Sequence, residues 1–193
     1  MLSYKESLKI LKETNALLEG HFVLSSGLHS DKYVQCAKLL SKPQKAKEIC
    51  LSLAEKIKEK FKNIDLILSP AVGGIVIGYE IGRILNIETI FAERVNKNFS
   101  LRRGFQIRKG QKVLIVEDVI TTGASSLECS NLALKSNAEI VGYACIIDRS
   151  NGKSKINIDI VSQVEIEIPT YKEKDLPKHL AETKAVKPGS RNL

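Results

Sequence analysis

Two adjacent carboxylates, Glu117 and Asp118, follow a short buried-type run, Val113-Leu114-Ile115-Val116, and precede a small, hydroxyl-rich stretch, Thr121-Thr122-Gly123-Ala124-Ser125-Ser126. A turn of that composition leading into a helix can aim backbone N–H groups, hydroxyls and a helix N-terminus at one anion, and a phosphate suits it. The carboxylates suit sugar hydroxyls or a metal. One ligand carrying a phosphate beside a diol would use both halves. A plain strand-to-helix turn capped by Ser or Thr accounts for the hydroxyls. It does not account for two charges at the end of an apolar strand, because an unpaired buried charge is costly.

The elements that must position these residues alternate. Residues 65–68 read as a buried strand, 69–74 as a turn and 75–85 as a helix. A strand over 89–92 leads into a polar loop over 93–110, with paired strands around 99–101 and 104–106. Residues 113–116 form a third strand, 124–136 a helix, and 140–147 a fourth strand ending at Asp148-Arg149. Such alternation predicts an α/β fold, a parallel sheet flanked by helices, with right-handed crossovers. Ligands bind outside the carboxyl ends of such strands. Segments 69–74, 92–94, 117–125 and 148–149 should therefore converge on one crevice. Upstream, residues 3–18 have helical spacing and 19–34 read as strand-like pieces. Ser41-Lys42-Pro43-Gln44 reads as a capping box opening a helix with Ala46, Ile49, Cys50, Leu53, Ile57 and Phe61 on one face.

Bulk properties narrow the class. At 193 residues and 43% hydrophobic, the chain suits one globular domain rather than disorder. No apolar run reaches membrane-spanning length, and the charged N-terminus lacks a signal-peptide core, so a cytoplasmic protein is expected. Cys36, Cys50, Cys129 and Cys145 are scattered and form no CxxC, which predicts buried free thiols. His21, His29 and His179 have no zinc-ligand spacing. The net charge of +8 suits nucleic acid or a polyanionic small molecule. Absence of Trp and of an aromatic-rich basic stripe argues against single-strand binding. The charge is also local: residues 93–108 hold Arg94, Lys97, Arg102, Arg103 and Arg108 against one acid, Glu93. This is either a solvated basic loop or a lid beside the crevice. Gly152-Lys153-Ser154 ends like a P-loop, but Ile147 stands where its first glycine is needed, so it reads as a turn.

Residues 116–125, VEDVITTGAS, resemble the ribose-phosphate signature of the type I phosphoribosyltransferases. FVLSSGLHSDKYV at 22–34, SPAVGGI at 69–75, FAERVNKNFSLRRGF at 91–105 and IDR at 147–149 resemble, in order and spacing, the branch of that family acting on orotate, in its short-catalytic-loop form. The resemblance spans nearly the whole chain. It implies a core over about 41–159 and a small hood from about 1–40 and 160–193. It implies transfer of ribose 5-phosphate from phosphoribosyl pyrophosphate (PRPP) to orotate, giving orotidine 5′-monophosphate and pyrophosphate in pyrimidine biosynthesis.

The implied roles are specific. Glu117 and Asp118 hold the ribose hydroxyls; Val119 and Ile120 continue that segment. Thr121, Thr122, Gly123, Ala124 and Ser125 cradle the 5′-phosphate, and Thr121 also approaches orotate. Val72 and Gly73 lie in a pyrophosphate loop. Arg149 meets orotate; the competing reading is an ordinary salt-bridged surface arginine. Arg94, Lys97 and Asp118 are the catalytic candidates, with Arg102 or Arg103 sharing the pyrophosphate. Mg²⁺ comes with PRPP, without direct protein ligands. The 93–108 loop covers the active site of a homodimer partner. The chain departs from the longer-loop enzymes: Val95 follows Arg94, Lys97 is the lone nearby lysine, no histidine stands in the loop, and Ser25 replaces an N-terminal lysine. His29 is open to a ligand role or a packing role. Two alternatives stand beside orotate transfer: another base, such as a purine, and a PRPP-sensing regulator that binds nucleic acid.

Overall fold

Aliphatic side chains on alternate faces of the central strands decide the layering. In the computed structural model, which describes residues 1–24 and 26–188, Ile67, Leu114 and Val116 point into one apolar cluster. Leu66, Leu68, Val113 and Ile115 point into another on the opposite face, as the two-residue period of a strand requires. Both faces of the sheet are therefore covered. Ser25 and residues 189–193 lie outside the described residues.

The chain runs α1 (Tyr4–Glu13), β1 (Leu17–Val23), β2 (His29–Val34), α2 (Cys36–Leu40), α3 (Pro43–Lys60), β3 (Leu66–Pro70) and α4 (Gly73–Leu85). It continues through β4 (Thr89–Val95), β5 (Asn98–Leu101), β6 (Lys112–Ile120), α5 (Ala124–Lys135), β7 (Glu139–Asp148) and β8 (Ile160–Glu165), and ends in α6 (Lys178–Ala181). The six-stranded sheet has the order β5-β4-β3-β6-β7-β8. All its pairings are parallel except β4 with β5. Residues from α1, α3 and α4 fill one cluster, and residues from α5 fill the other. From β3 the chain steps to β4 on one side, then returns to β6 on the other. The switch point is between β3 and β6, where an open α/β sheet leaves its crevice.

Several expectations shift. The first helix ends at Glu13 because Asn15 is left-handed (φ 57°) and Thr14 Oγ1 donates back to Ile10 O. Residues 17–18 then enter β1. The capping box expected at 41–44 does not form. A short helix, α2, precedes it; Ser41 caps the C-terminus of that helix and its Oγ donates to Lys38 O at 3.0 Å. Pro43 still opens α3. A capping box exists instead at Ser3 and Glu6. The 93–110 stretch is not one long loop. β4 continues to Val95, turns through Asn96 and Lys97, both with positive φ (49° and 72°), and returns as β5. That is the signature of a two-residue type I′ hairpin. Residues 104–106 do not pair as a strand, since left-handed Arg103 and Gly104 break the extension.

β1 and β2 form a separate antiparallel hairpin. The tail reaches it through bridges Phe22–Val186 and His29–Tyr171. Strand β8, which begins at the expected hood boundary of 160, belongs to the main sheet, and α1 contributes Ile10 and Leu11 to its core.

Candidate active site

β6 carries its ladder with β7 past the carboxylates to Ile120, so Glu117 and Asp118 stand on a rigid strand end rather than in a loop. Asp118 is pushed up from the ordinary carboxylate range by burial, partly offset by the Val119 N–H, which donates to its Oδ1 at 3.0 Å. Burial raises Glu117 to about 7; neighbouring Asp118 adds to this, while a hydrogen bond from Ser126 and the charge of Arg94 oppose it. Neither carboxylate has an ion-pair partner among the described residues.

The turn after β3 closes directly on this pair. A Cβ at Gly73 would lie 2.8 Å from Asp118 Oδ1 and 2.9 Å from Oδ2, so only glycine lets the backbone approach so closely. The Ala71–Val72 peptide is cis, and Val72 is 82% exposed. Gly73 opens α4, which has no side-chain cap. On the other side, Gly123 takes a left-handed φ of 75° and opens α5, again without a side-chain cap of its own. Thr122 Oγ1 accepts only the Ala124 N–H, at 3.3 Å. Two helix N-termini thus flank two carboxylates, and the orphan N–H groups and dipole of each suit an anion. Thr121, Thr122 and Ala124 are exposed and Ser125 is half-buried, so the turn is open to a ligand. The 150–157 loop braces it from behind. Lys155 N donates to Thr122 O at 3.0 Å, and Ile156 packs where a side chain on Gly123 would go.

Arg149 follows β7, anchored by its own N–H to Ile120 O at 2.9 Å. Its guanidinium Nε is buried without a hydrogen-bond partner, and burial alone lowers its pKa. No carboxylate pairs with it among the described residues, so it is not a salt-bridged surface arginine. Its planar fork is free for an anionic, oxygen-rich ligand.

The hairpin cations are placed differently. Arg94 pairs with Glu128 of α5 at 3.0 Å, donates to Lys97 O and stacks 4.0 Å over Phe99. Arg103 makes a two-pronged pair with Glu93 at 2.9 and 3.0 Å. Lys97 sits exposed at the hairpin tip; neither it nor Arg102 forms an ion pair among the described residues. The structure therefore gathers Gly73, Glu117, Asp118 and the 121–125 turn at the switch point, with Arg149 bonded to the end of the same strand. Lys97 makes no contact with the carboxylates. His29 is committed elsewhere. His21 Nδ1 donates to Thr183 O at 2.9 Å, and His21 Nε2 is hydrogen-bonded to His29 Nδ1 at 2.6 Å. This buried pair ties the hairpin to the tail. The four thiols are buried and free, and burial raises all of them.

Sequence reasoning missed Ser126 and Glu128 as site groups. Ser126 is visible only as one more hydroxyl in the turn. Glu128 has no linear signal, since its partners lie across the fold at Arg94 and the Phe99 N–H.

Residues 37–181 match the phosphoribosyl transferase domain family. The chain is 48% identical over 189 residues to the orotate phosphoribosyltransferase of Parvibaculum lavamentivorans, covering 96% of this chain and 97% of that one. The crystal structure of orotate phosphoribosyltransferase from Aeropyrum pernix superposes with a TM-score of 0.70 at 23% identity, over 82% of this chain and 92% of that chain. The adenine phosphoribosyltransferase of Saccharomyces cerevisiae shares the fold with a TM-score of 0.66 at 18% identity, over 81% and 99%. The chain belongs to the phosphoribosyltransferase family. Within that family its full-length sequence relatives place it among the orotate phosphoribosyltransferases.

Proposed function

We propose that this chain transfers ribose 5-phosphate from PRPP to orotate, releasing pyrophosphate and forming orotidine 5′-monophosphate. The observation that carries the reading is the pair of uncapped helix N-termini on either side of Glu117 and Asp118, with unpartnered Arg149 at the next strand end. The first turn of α5 takes the 5′-phosphate, and the first turn of α4 takes the pyrophosphate. Glu117 and Asp118 accept hydrogen bonds from the ribose diol between them. Arg149 selects an acceptor with an acidic edge, which a purine lacks.

The C1–O bond to pyrophosphate breaks as C1 bonds to the anionic ring nitrogen of orotate, through an oxocarbenium-like transition state. No protein nucleophile is required. Orientation and charge stabilisation are the protein's contribution. Lys97, with Arg94, Arg102 or Arg103, meets the departing pyrophosphate when the hairpin closes and excludes water. Among the described residues no cluster of three or more His, Cys, Asp or Glu could hold a metal. Mg²⁺ would come with PRPP and would supply charge neutralisation to the departing pyrophosphate.

A homodimer is part of the proposal. Val72, Val76 and Tyr79 project at helical spacing from the start of α4 and are 82%, 50% and 65% exposed. A second copy would cover this apolar stripe beside the pyrophosphate turn, bringing its 93–108 segment near the neighbouring site. No helix among the described residues is long and apolar enough to cross a membrane; we place the reaction in the cytoplasm.

The test mixes protein, PRPP and Mg²⁺ with orotate, uracil, adenine or guanine and follows pyrophosphate. Orotate-dependent release is expected. Turnover with a purine but not orotate would overturn the acceptor. Absence of turnover with any base, together with tight salt-dependent DNA binding, would support the regulator.

A further inference from the structure

Ser126 lies in the first turn of α5, fully buried. Its hydroxyl is turned away from the open phosphate turn and donates to Glu117 Oε2. No other hydrogen-bond donor reaches the Glu117 carboxylate among the described residues. The surroundings make that bond matter. Asp118 follows on β6, the Cys145 position lies opposite on β7, and Cys129 comes one turn further along α5. The nearest cation, Arg94, is already paired with Glu128. A half-buried carboxylate so placed has little to hold it in one rotamer or to keep it ionised, and a protonated carboxyl donates where a sugar hydroxyl needs an acceptor.

We propose that Ser126 is a positioning residue for ribose capture: its hydroxyl fixes one oxygen of Glu117, so that the other is presented to the sugar. The proposal rests on the reading above that Glu117 holds the PRPP ribose. Ser126 does not touch the substrate; it acts through Glu117. A hydroxyl bonded to a carboxylate also favours the ionised form, so the same bond keeps Glu117 an acceptor near neutral pH.

The test uses the full chain with Mg²⁺ and PRPP, in wild type, Ser126→Ala, Glu117→Gln and the double variant. PRPP affinity is read by calorimetry without acceptor, and kcat/KM for PRPP is read with orotate across pH. Thermal melting checks that each variant is folded. Ser126→Ala should weaken PRPP binding about ten- to a hundred-fold, the range for a hydrogen bond to a charged group. It should move the acid limb of kcat/KM to higher pH. In the Glu117→Gln background it should add nothing, because a residue acting only through Glu117 has no further route. Binding within two-fold of wild type, an unmoved acid limb, or effects that simply add would each overturn the proposal. Wild type that binds PRPP but does not use orotate would instead overturn the acceptor assignment and leave Ser126 testable by calorimetry.

Discussion

The end of β6 and the β4–β5 hairpin hold their charges in opposite ways. Glu117 and Asp118 are half-buried, on a rigid strand, with no ion-pair partner among the described residues. Arg94 and Arg103 are 44% and 59% exposed, on a hairpin, each paired with a carboxylate. The first arrangement is costly in the free protein, offset in part by the Ser126 hydroxyl and the Val119 N–H, and a ligand that donates hydrogen bonds would relieve it further. The second costs little to undo, since exposed pairs are worth about 0–1 kcal/mol. On the proposed reading, one region receives the ribose and the other trades carboxylates for a pyrophosphate.

The largest effect should come from the hairpin tip. If Lys97 meets the departing pyrophosphate, Lys97→Ala lowers kcat on the order of a hundred- to a thousand-fold, the range for removing one transition-state stabiliser. PRPP affinity should change much less. Steady-state kinetics with a separate binding isotherm checks this. An unchanged kcat would remove Lys97 from the catalytic list and leave only the arginines to carry the hairpin's side of the comparison.

Arg149→Ala comes next. It removes a half-buried cation whose buried Nε has no hydrogen-bond partner among the described residues, so kcat/KM for orotate should fall roughly ten- to a hundred-fold. The PRPP isotherm should hold. Loss of PRPP binding of similar size would move Arg149 to the donor side.

Glu117→Gln sharpens the cost assigned to the strand end. The folded pKa, about 7, lies above the ordinary 4.5, so the folded state binds more protons than the unfolded between those values. Stability from this group is therefore present at low pH and lost as pH rises through about 7. At pH 8 Glu117→Gln should raise stability by up to about 3 kcal/mol, while weakening PRPP binding. Near pH 5 the gain should shrink. Urea melts at both pH values test it; equal stability changes at the two would mean that burial of this carboxylate carries no such cost.

Much of the strand end was legible because its signals are local. An apolar run, two acids, hydroxyls and a glycine lie within fourteen residues, and α5 opens at Ala124 where that pattern places it, while β6 runs four residues past the expected strand end, through Glu117 and Asp118 to Ile120, because its ladder with β7 continues. The parallel sheet follows from alternation alone. The hairpin was less legible, because a type I′ turn needs positive φ at two residues and Asn96-Lys97 lacks the glycine that advertises it. The groups that matter through distant contacts were illegible. Glu128 gains its role from Arg94 and Phe99 across the fold, and Ser126 from the direction its hydroxyl takes. The capping box failed at Ser41 for a related reason: a preceding short helix had already used that residue as its C-cap.

The smallest expected effect tests the exchangeable side of the comparison. Glu128 accepts from the Phe99 N–H at 2.7 Å and pairs with Arg94, whose guanidinium also lies over the Phe99 ring. Glu128→Gln keeps an amide oxygen for the Phe99 N–H and removes only the charge. Arg94 retains the ring and the Lys97 carbonyl, so stability should fall by under about 1 kcal/mol, less at high salt. PRPP binding should tighten slightly or stay within a few-fold, because Arg94 is released rather than lost. Denaturant melts at two ionic strengths and the PRPP isotherm measure both. A stability loss above about 2 kcal/mol, unchanged by salt, would show that Arg94 is a structural fixture of the hairpin rather than a cation free to change partners.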